Sequence, residues 1–270
     1  MSDLPVLSAK TLFEGFDSHH DFTDDLIGTH AGRVVITFDD AADHARNRSV
    51  VLALLSSLGM VLSVYPSVGP WSDLAVRTDV DPGRTHGVGE NRLHIDMVDR
   101  EHTPRFIALY CVRDDPGGGG ASALADMWPA IESLRRDDRR VLEQPAYRYW
   151  TDEGVHGVGE SLRSFPIVPS RLDWGVPVRF TSKMGPHLDN GELVDTGLVP
   201  AEKAAAAFGR LRGAVEAQRI TYRLRPGQLL VWDQRRYAHG RMPLRIDQDQ
   251  IPENTRRLLH QTYVMDRRPR

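Results

Sequence analysis

Pro226-Gly227-Gln228-Leu229-Leu230-Val231-Trp232-Asp233, running on into Gln234-Arg235-Arg236-Tyr237-Ala238-His239-Gly240-Arg241, reads as an apolar strand, a polar turn and a short segment ending in His-Gly-Arg. A continuous apolar run of this length, bounded by turn residues, suits a buried strand better than a helix. Residues 220–224 form a second strand-like run just upstream, and Pro226-Gly227 between the two suits a hairpin turn.

Working outward, residues 33–38 (RVVITF) read as a buried strand, 41–58 as a helix stopped by Gly59, and 60–65 as a strand. Residues 66–89 hold glycines, prolines and charges without periodicity, which predicts a long loop over one face. Residues 105–112 are another apolar strand, and the tetraglycine 117–120 is a turn. Residues 123–142 read as a helix interrupted early by Pro129. Between 147 and 190 there are only short strand-like pieces, such as 176–181. Residues 200–218, opening on proline, form a surface helix, and 257–265 a last strand. Many short strands, a few helices and no regular β-α alternation place the chain in the α+β class, as a sandwich or jelly roll rather than a doubly wound sheet. A length of 270 residues suits one large domain, 1–270.

Composition narrows the function classes. Apolar residues make up 40% and charged residues 26%, ordinary values for a chain that buries a core. The net charge of −3, with arginines dispersed, argues against a nucleic-acid partner. No apolar stretch is long enough to cross a bilayer, so no membrane partner is expected. Cys111 is the sole cysteine, which excludes an internal disulfide and fits a reducing cytoplasm; its apolar surroundings predict a buried structural thiol. The sequence carries no signal for oligomeric state.

The chemistry starts at Leu93-His94-Ile95-Asp96. In extended backbone, residues two apart project to the same side, so the His94 imidazole and the Asp96 carboxylate can reach one point. A second histidine from elsewhere would complete a facial triad, the set that suits iron(II) and leaves three positions open. Alone, His-x-Asp is weak in a chain with 11 histidines and 37 acids. His19, His20, His30, His44, His102, His156 and His187 lack any comparable context and read as surface or loop histidines.

The segment 226–241 closely resembles the one that supplies the distal histidine in taurine dioxygenase-like and clavaminate synthase-like oxygenases, carbapenem synthase included. Two further pieces are similar to that superfamily. One is the turn Gly119-Gly120-Ala121-Ser122, and the other is Arg257-Leu258-Leu259-His260-Gln261-Thr262-Tyr263. The four elements fall in the family's order and span the chain from about residue 90 to its end.

The resemblance implies a double-stranded β-helix, or jelly roll, with flanking helices and a long lid loop. It implies Fe(II) held by His94, Asp96 and His239, with 2-oxoglutarate as cosubstrate and O2 as oxidant. Ser122 and an arginine would anchor the distal carboxylate of 2-oxoglutarate. Arg256 and Arg257 are adjacent and face opposite sides of a strand, so one of them takes that part, Arg257 being preferred. Relatives often carry a substrate-gripping arginine four positions later, where Gln261 stands here, or His260 in the other register. Asn91 and His86 flank the motif and are further candidates to touch substrate. Asp-Gln at 233–234 replaces the family's frequent Asp-Asn.

The implied reaction is oxidation, most commonly hydroxylation, of a C–H bond in a small amino-acid-derived or natural-product molecule, with release of succinate and CO2. Desaturation, cyclisation and epimerisation use the same machinery. An acid at position 96 favours oxygenation over halogenation, since halogenating relatives have a small residue there. A reading of another class is a non-catalytic metal- or sugar-binding jelly roll. Hydrolysis lacks support, because no Gly-x-Ser-x-Gly elbow is present.

Overall fold

The structure, a computed structural model, describes residues 4–14, 22–63, 69–150, 158–245 and 247–266. His19, His20 and His156 lie outside these residues, as do parts of the segments 60–65 and 66–89.

Two sheets stack face to face. The larger has seven strands: β1 (Val6–Ser8), β2 (Arg33–Thr37), β3 (Met60–Leu62), β4 (Ser72–Ala75), β6 (Phe106–Arg113), β9 (Gln228–Asp233) and β11 (Leu258–Met265). Its order is β1-β2-β9-β6-β11-β3, with β4 also pairing β11. The smaller sheet has β5 (Asn91–His94), β7 (Ser122–Asp126), β8 (Arg219–Tyr222) and β10 (Tyr237–Arg241), in the order β5-β10-β7-β8. The helices are α1 (Ala9–Glu14), α2 (Phe22–Asp24), α3 (His44–Leu58), α4 (Met127–Glu132), α5 (Arg136–Leu142), α6 (Gly185–Asp189) and α7 (Ala201–Ala217).

Side-chain alternation explains why the sheets stack. Along β6, Phe106, Ala108 and Tyr110 face outward with Val34, Ile36, Leu229 and Val231, onto Val51, Leu54, Leu55 and Leu58 of α3. The alternate residues, Ile107, Leu109 and Cys111, face inward with Val35, Leu230, Trp232 and Leu259, and meet Leu124 and Tyr237 of the smaller sheet. On that sheet's far side, Leu93, Ile95, Ala123 and Ala125 pack on Ala204, Ala207, Phe208, Leu211 and Val215 of α7. Each large side chain so buried contributes roughly 1.5–3 kcal/mol of transfer free energy. With Leu93 and Ile95 turned toward α7, His94 and Asp96 are turned into the space between the sheets.

Four expectations need correction. Residues 123–142 do not form one helix. Residues Ser122–Asp126 are strand β7, because pairing with β10 on one side and β8 on the other outweighs the helix preference of alanine. Helix α4 starts only after Asp126, whose carboxylate accepts from the Trp128 N–H at 3.1 Å as an N-cap. Pro226-Gly227 does not close a hairpin, since β8 lies in the small sheet and β9 in the large one. The supposed loop 66–89 contains β4, which pairs with β11. Residues 176–181 supply no strand, only an isolated bridge from Thr181 to His94.

Candidate metal centre

Strands β5 and β10 run antiparallel with His94 opposite His239, so pairing alone sets the two imidazoles side by side, ring centroids 4.3 Å apart. Asp96 follows two residues after His94. Candidate ligand atoms of His94, Asp96 and His239 all lie within 4.8 Å of one another. His94 Nε2 is 3.3 Å from Asp96 Oδ1, and His239 Nε2 is 3.5 Å from Asp96 Oδ2. Ligands at right angles on bonds of about 2.1 Å stand about 3 Å apart, so this set needs little adjustment to bind one divalent ion.

The protonation states suit coordination. His94 Nδ1 lies 2.7 Å from the Arg92 carbonyl, which can only accept, so Nδ1 donates there and Nε2 is the nitrogen turned to the centre. Burial, aided by the neighbouring His94 and Lys183 and opposed by Asp96, pushes the His239 imidazole down to about 3, which leaves it neutral at physiological pH. Burial on its own would raise the Asp96 carboxyl. Its interactions with His239 and His94, and the hydrogen bond from the Tyr263 hydroxyl, overcome that and hold it well below the usual carboxylate range. One carboxylate and two imidazoles are a fitting donor set for iron(II).

Asp96 is aligned from outside its own strand. Tyr263 donates its hydroxyl to Oδ2 at 3.0 Å, and Gln261 Nε2 stands 3.4 Å from the same oxygen. The fully buried Gln234 accepts the Asp96 backbone N–H through Oε1 at 3.1 Å and donates through Nε2 to the Pro104 carbonyl. Gln234 is thus a positioning residue that sequence reasoning noticed only as a departure from Asp-Asn. Its signal was the placement of a long amide between a buried strand and the distal histidine.

One cavity is lined by His94, Asp96, His239, Ser122, Asn91, Gln261, Arg257 and Arg241, among others. Arg257 is buried, and its guanidinium makes no hydrogen bond or ion pair with any described residue. Burial, and then the nearby Arg241, push it down to about 10, the mark of a cation lacking a counter-ion. The turn before β7 approaches it closely: a Cβ on Gly120, whose φ is +65°, would stand 3.0 Å from Arg257 Cδ. This brings Ser122 to the arginine's side of the cavity. Asn91 Oδ1 is buried and unpartnered among the described residues.

Three candidates lie elsewhere. Arg256 turns from the cavity and donates Nε to the Ile251 carbonyl at 2.9 Å, in a tight turn just before β11. His260 occupies the opposite face of β11 from Gln261, where Nε2 meets Asp73 at 3.2 Å and the ring packs near Trp71. Nδ1 of His86 is bound to the Ala75 carbonyl at 2.9 Å, so this side chain fastens its loop to β4, and its neighbour Thr85 lines the cavity instead. Sequence reasoning missed Arg241, whose Nη2 donates to the Gly87 and Gly89 carbonyls at 2.6 and 2.7 Å and pins that loop over the cavity. Its place on β10, two residues beyond His239 and so on the same face, was the available sign.

L-asparagine oxygenase of Streptomyces coelicolor is 26% identical over 174 residues, 64% of this chain and 46% of that protein. Uridine-5'-phosphate dioxygenase of Amycolatopsis sp. is 28% identical over 213 residues, 72% of this chain and 68% of that one. The chain therefore spans less than half of the first relative. The solved structure of the non-heme iron oxygenase OrfP in complex with Fe and alpha-ketoglutaric acid superposes with a TM-score of 0.68 at 18% identity, covering 97% of this chain and 94% of that one. That likeness is one of fold, and it bears out the jelly-roll core. The model of the taurine catabolism dioxygenase TauD, TfdA family matches residues 12–263, and the chain belongs to that family.

Proposed function

We propose that this chain is an iron(II)- and 2-oxoglutarate-dependent oxygenase that hydroxylates a C–H bond of a small amino-acid-derived or natural-product substrate. The observation that carries the reading is the meeting of His94, Asp96 and His239 in one cavity with an uncompensated buried arginine, Arg257. The family, and relatives named as oxygenase and dioxygenase, support it.

His94 Nε2, one Asp96 oxygen and His239 Nε2 would hold the ion on one face, leaving the other face toward the cavity. Arg257 offers a planar fork to the distal carboxylate of 2-oxoglutarate, and the Ser122 hydroxyl adds a further donor. In a site this buried such a pairing is strong, because water competes little for either charge. Tyr263 and Gln261 keep Oδ2 of Asp96 engaged, which favours coordination through one oxygen and fixes its direction. Bound iron supplies the activation of O2: substrate C–H, O2 and 2-oxoglutarate become C–OH, succinate and CO2. The whole chain is read as a single oxygenase domain, and its lone buried Cys111, whose thiol burial pushes up to about 12, accords with a cytoplasmic setting.

Anaerobic addition of Fe(II) and 2-oxoglutarate should produce a weak visible charge-transfer band that His94→Ala and Asp96→Ala abolish. A panel of amino-acid and natural-product substrates, followed by succinate release and product mass, then tests turnover. A protein that gives no band with both ligands present is a binding jelly roll instead.

A further inference from the structure

A second cavity, of about 500 Å³, borders the first along the segment 81–92. Thr85 and Asn91 of that segment line the metal-side cavity, whereas Arg84, Glu90 and Arg92 line the second. Its other wall includes Tyr149 and Lys183, and Lys183 follows two residues after Thr181, the bridge partner of His94. Arg92 lies two residues before His94 on the same strand, a separation of about 7 Å along the backbone. The size suits part of a small organic molecule.

Three basic side chains and two acids line this cavity. Arg84, Arg92 and Lys183 face Asp81 and Glu90. Glu90 is engaged from outside the cavity by Arg219, at 2.7 Å, and Asp81 Oδ1 takes the Gly83 N–H at 2.7 Å. Among the described residues, neither Arg84 nor Arg92 pairs with a carboxylate. Meanwhile the position where relatives place a substrate-gripping arginine holds Gln261, which is turned to Asp96.

We infer that the cavity between Arg84, Arg92 and Lys183 is the subsite for a negatively charged group, phosphate or carboxylate, of the substrate oxidised at the adjacent centre. This rests on the proposed function and narrows its substrate to anionic molecules. Two guanidinium forks offer the paired donors that either anion accepts. A substrate whose free end is an ammonium or guanidinium is repelled from the same place.

The test uses the 270-residue chain in metal-free form, titrated calorimetrically at low ionic strength with inorganic phosphate and, separately, with acetate. The expected result is saturable binding of at least one of them that weakens at least tenfold in Arg84→Ala/Arg92→Ala. Both side chains are exposed, so the double variant keeps its fold, which its circular dichroism and its Fe(II)/2-oxoglutarate band verify. Tighter phosphate binding identifies a phosphoester as the source, and tighter acetate binding a carboxylate. Absence of binding, or binding that the double variant leaves unchanged, overturns the inference. Absence of the Fe(II)/2-oxoglutarate band from the wild type with anion binding intact would instead overturn the oxygenase reading, and with it the substrate role of the site, while the anion site itself stands.

Discussion

The phenol of Tyr263, on the large sheet, donates to Oδ2 of Asp96 at 3.0 Å, and that carboxylate sits just past the end of β5 in the small sheet. A hydrogen bond to a charged group contributes about 1.5–3 kcal/mol, which corresponds to about ten- to hundredfold in an equilibrium constant. Tyr263→Phe should therefore weaken Mn(II) or Fe(II) binding at least tenfold, measured by anaerobic calorimetry, with little change in melting temperature. An unaltered dissociation constant would remove Tyr263 from the alignment of the site.

The two adjacent arginines separate cleanly. Arg257 is buried in the cavity without a counter-ion, while Arg256 is tied to the Ile251 carbonyl. Arg257→Ala should raise the KM for 2-oxoglutarate by about a hundredfold, the loss of a bidentate charge-assisted pair worth about 3 kcal/mol. Arg256→Ala should change it less than threefold. The reverse ranking would move the register of β11 by one residue.

Gly240 lies between His239 and Arg241 where β10 passes β5. A Cβ there would stand 2.6 Å from the Asn91 carbonyl oxygen, which is backbone and cannot swing aside. Gly240→Ala should push β5 from β10, cost about 1–3 kcal/mol in urea unfolding, and widen the gap between His94 and His239. Metal affinity should fall with it. A variant as stable and as metal-competent as wild type would show that the strands can shift freely at this point.

Asp233 carries an unusual pH dependence. Its burial, opposed by Arg105 and the Arg235 N–H, pushes the carboxyl up from 3.8 to about 6. The folded state thus holds this proton to higher pH than the unfolded chain does. Stability from this group is full below about pH 4 and is lost as pH rises toward 6, by up to about 3 kcal/mol. The difference in unfolding free energy between wild type and Asp233→Asn should decline over that window and level off above it. A flat difference from pH 4 to 7 would contradict the shift.

Much of this site was readable because strand geometry is local. The two-residue spacing of His94 and Asp96 and the buried strand before His239 need only period-two alternation, and Arg257 shares a face with Leu259 and Gln261 for the same reason. What failed depended on partners distant in sequence. Ala123 and Ala125 read as helix because their strand character comes from β8 and β10, 94 or more residues away. Pro226-Gly227 has the chemistry of a tight turn, yet nothing local says that the chain changes sheets there. Gln261 stood at a substrate position by resemblance, and only the packing of β11 opposite β5 shows that its amide reaches the carboxylate of Asp96.

The grips on Asp96 have a mechanical consequence. Tyr263 and Gln261 belong to one leaf of the sandwich, Gln234 to the connection between leaves, and the histidines to the other leaf. The spacing between leaves therefore acts as a tuning screw for the ligand angles. Changes that thicken or thin the filling between Leu109, Leu124 and Trp232 would retune the ion's preference without touching any residue that meets it.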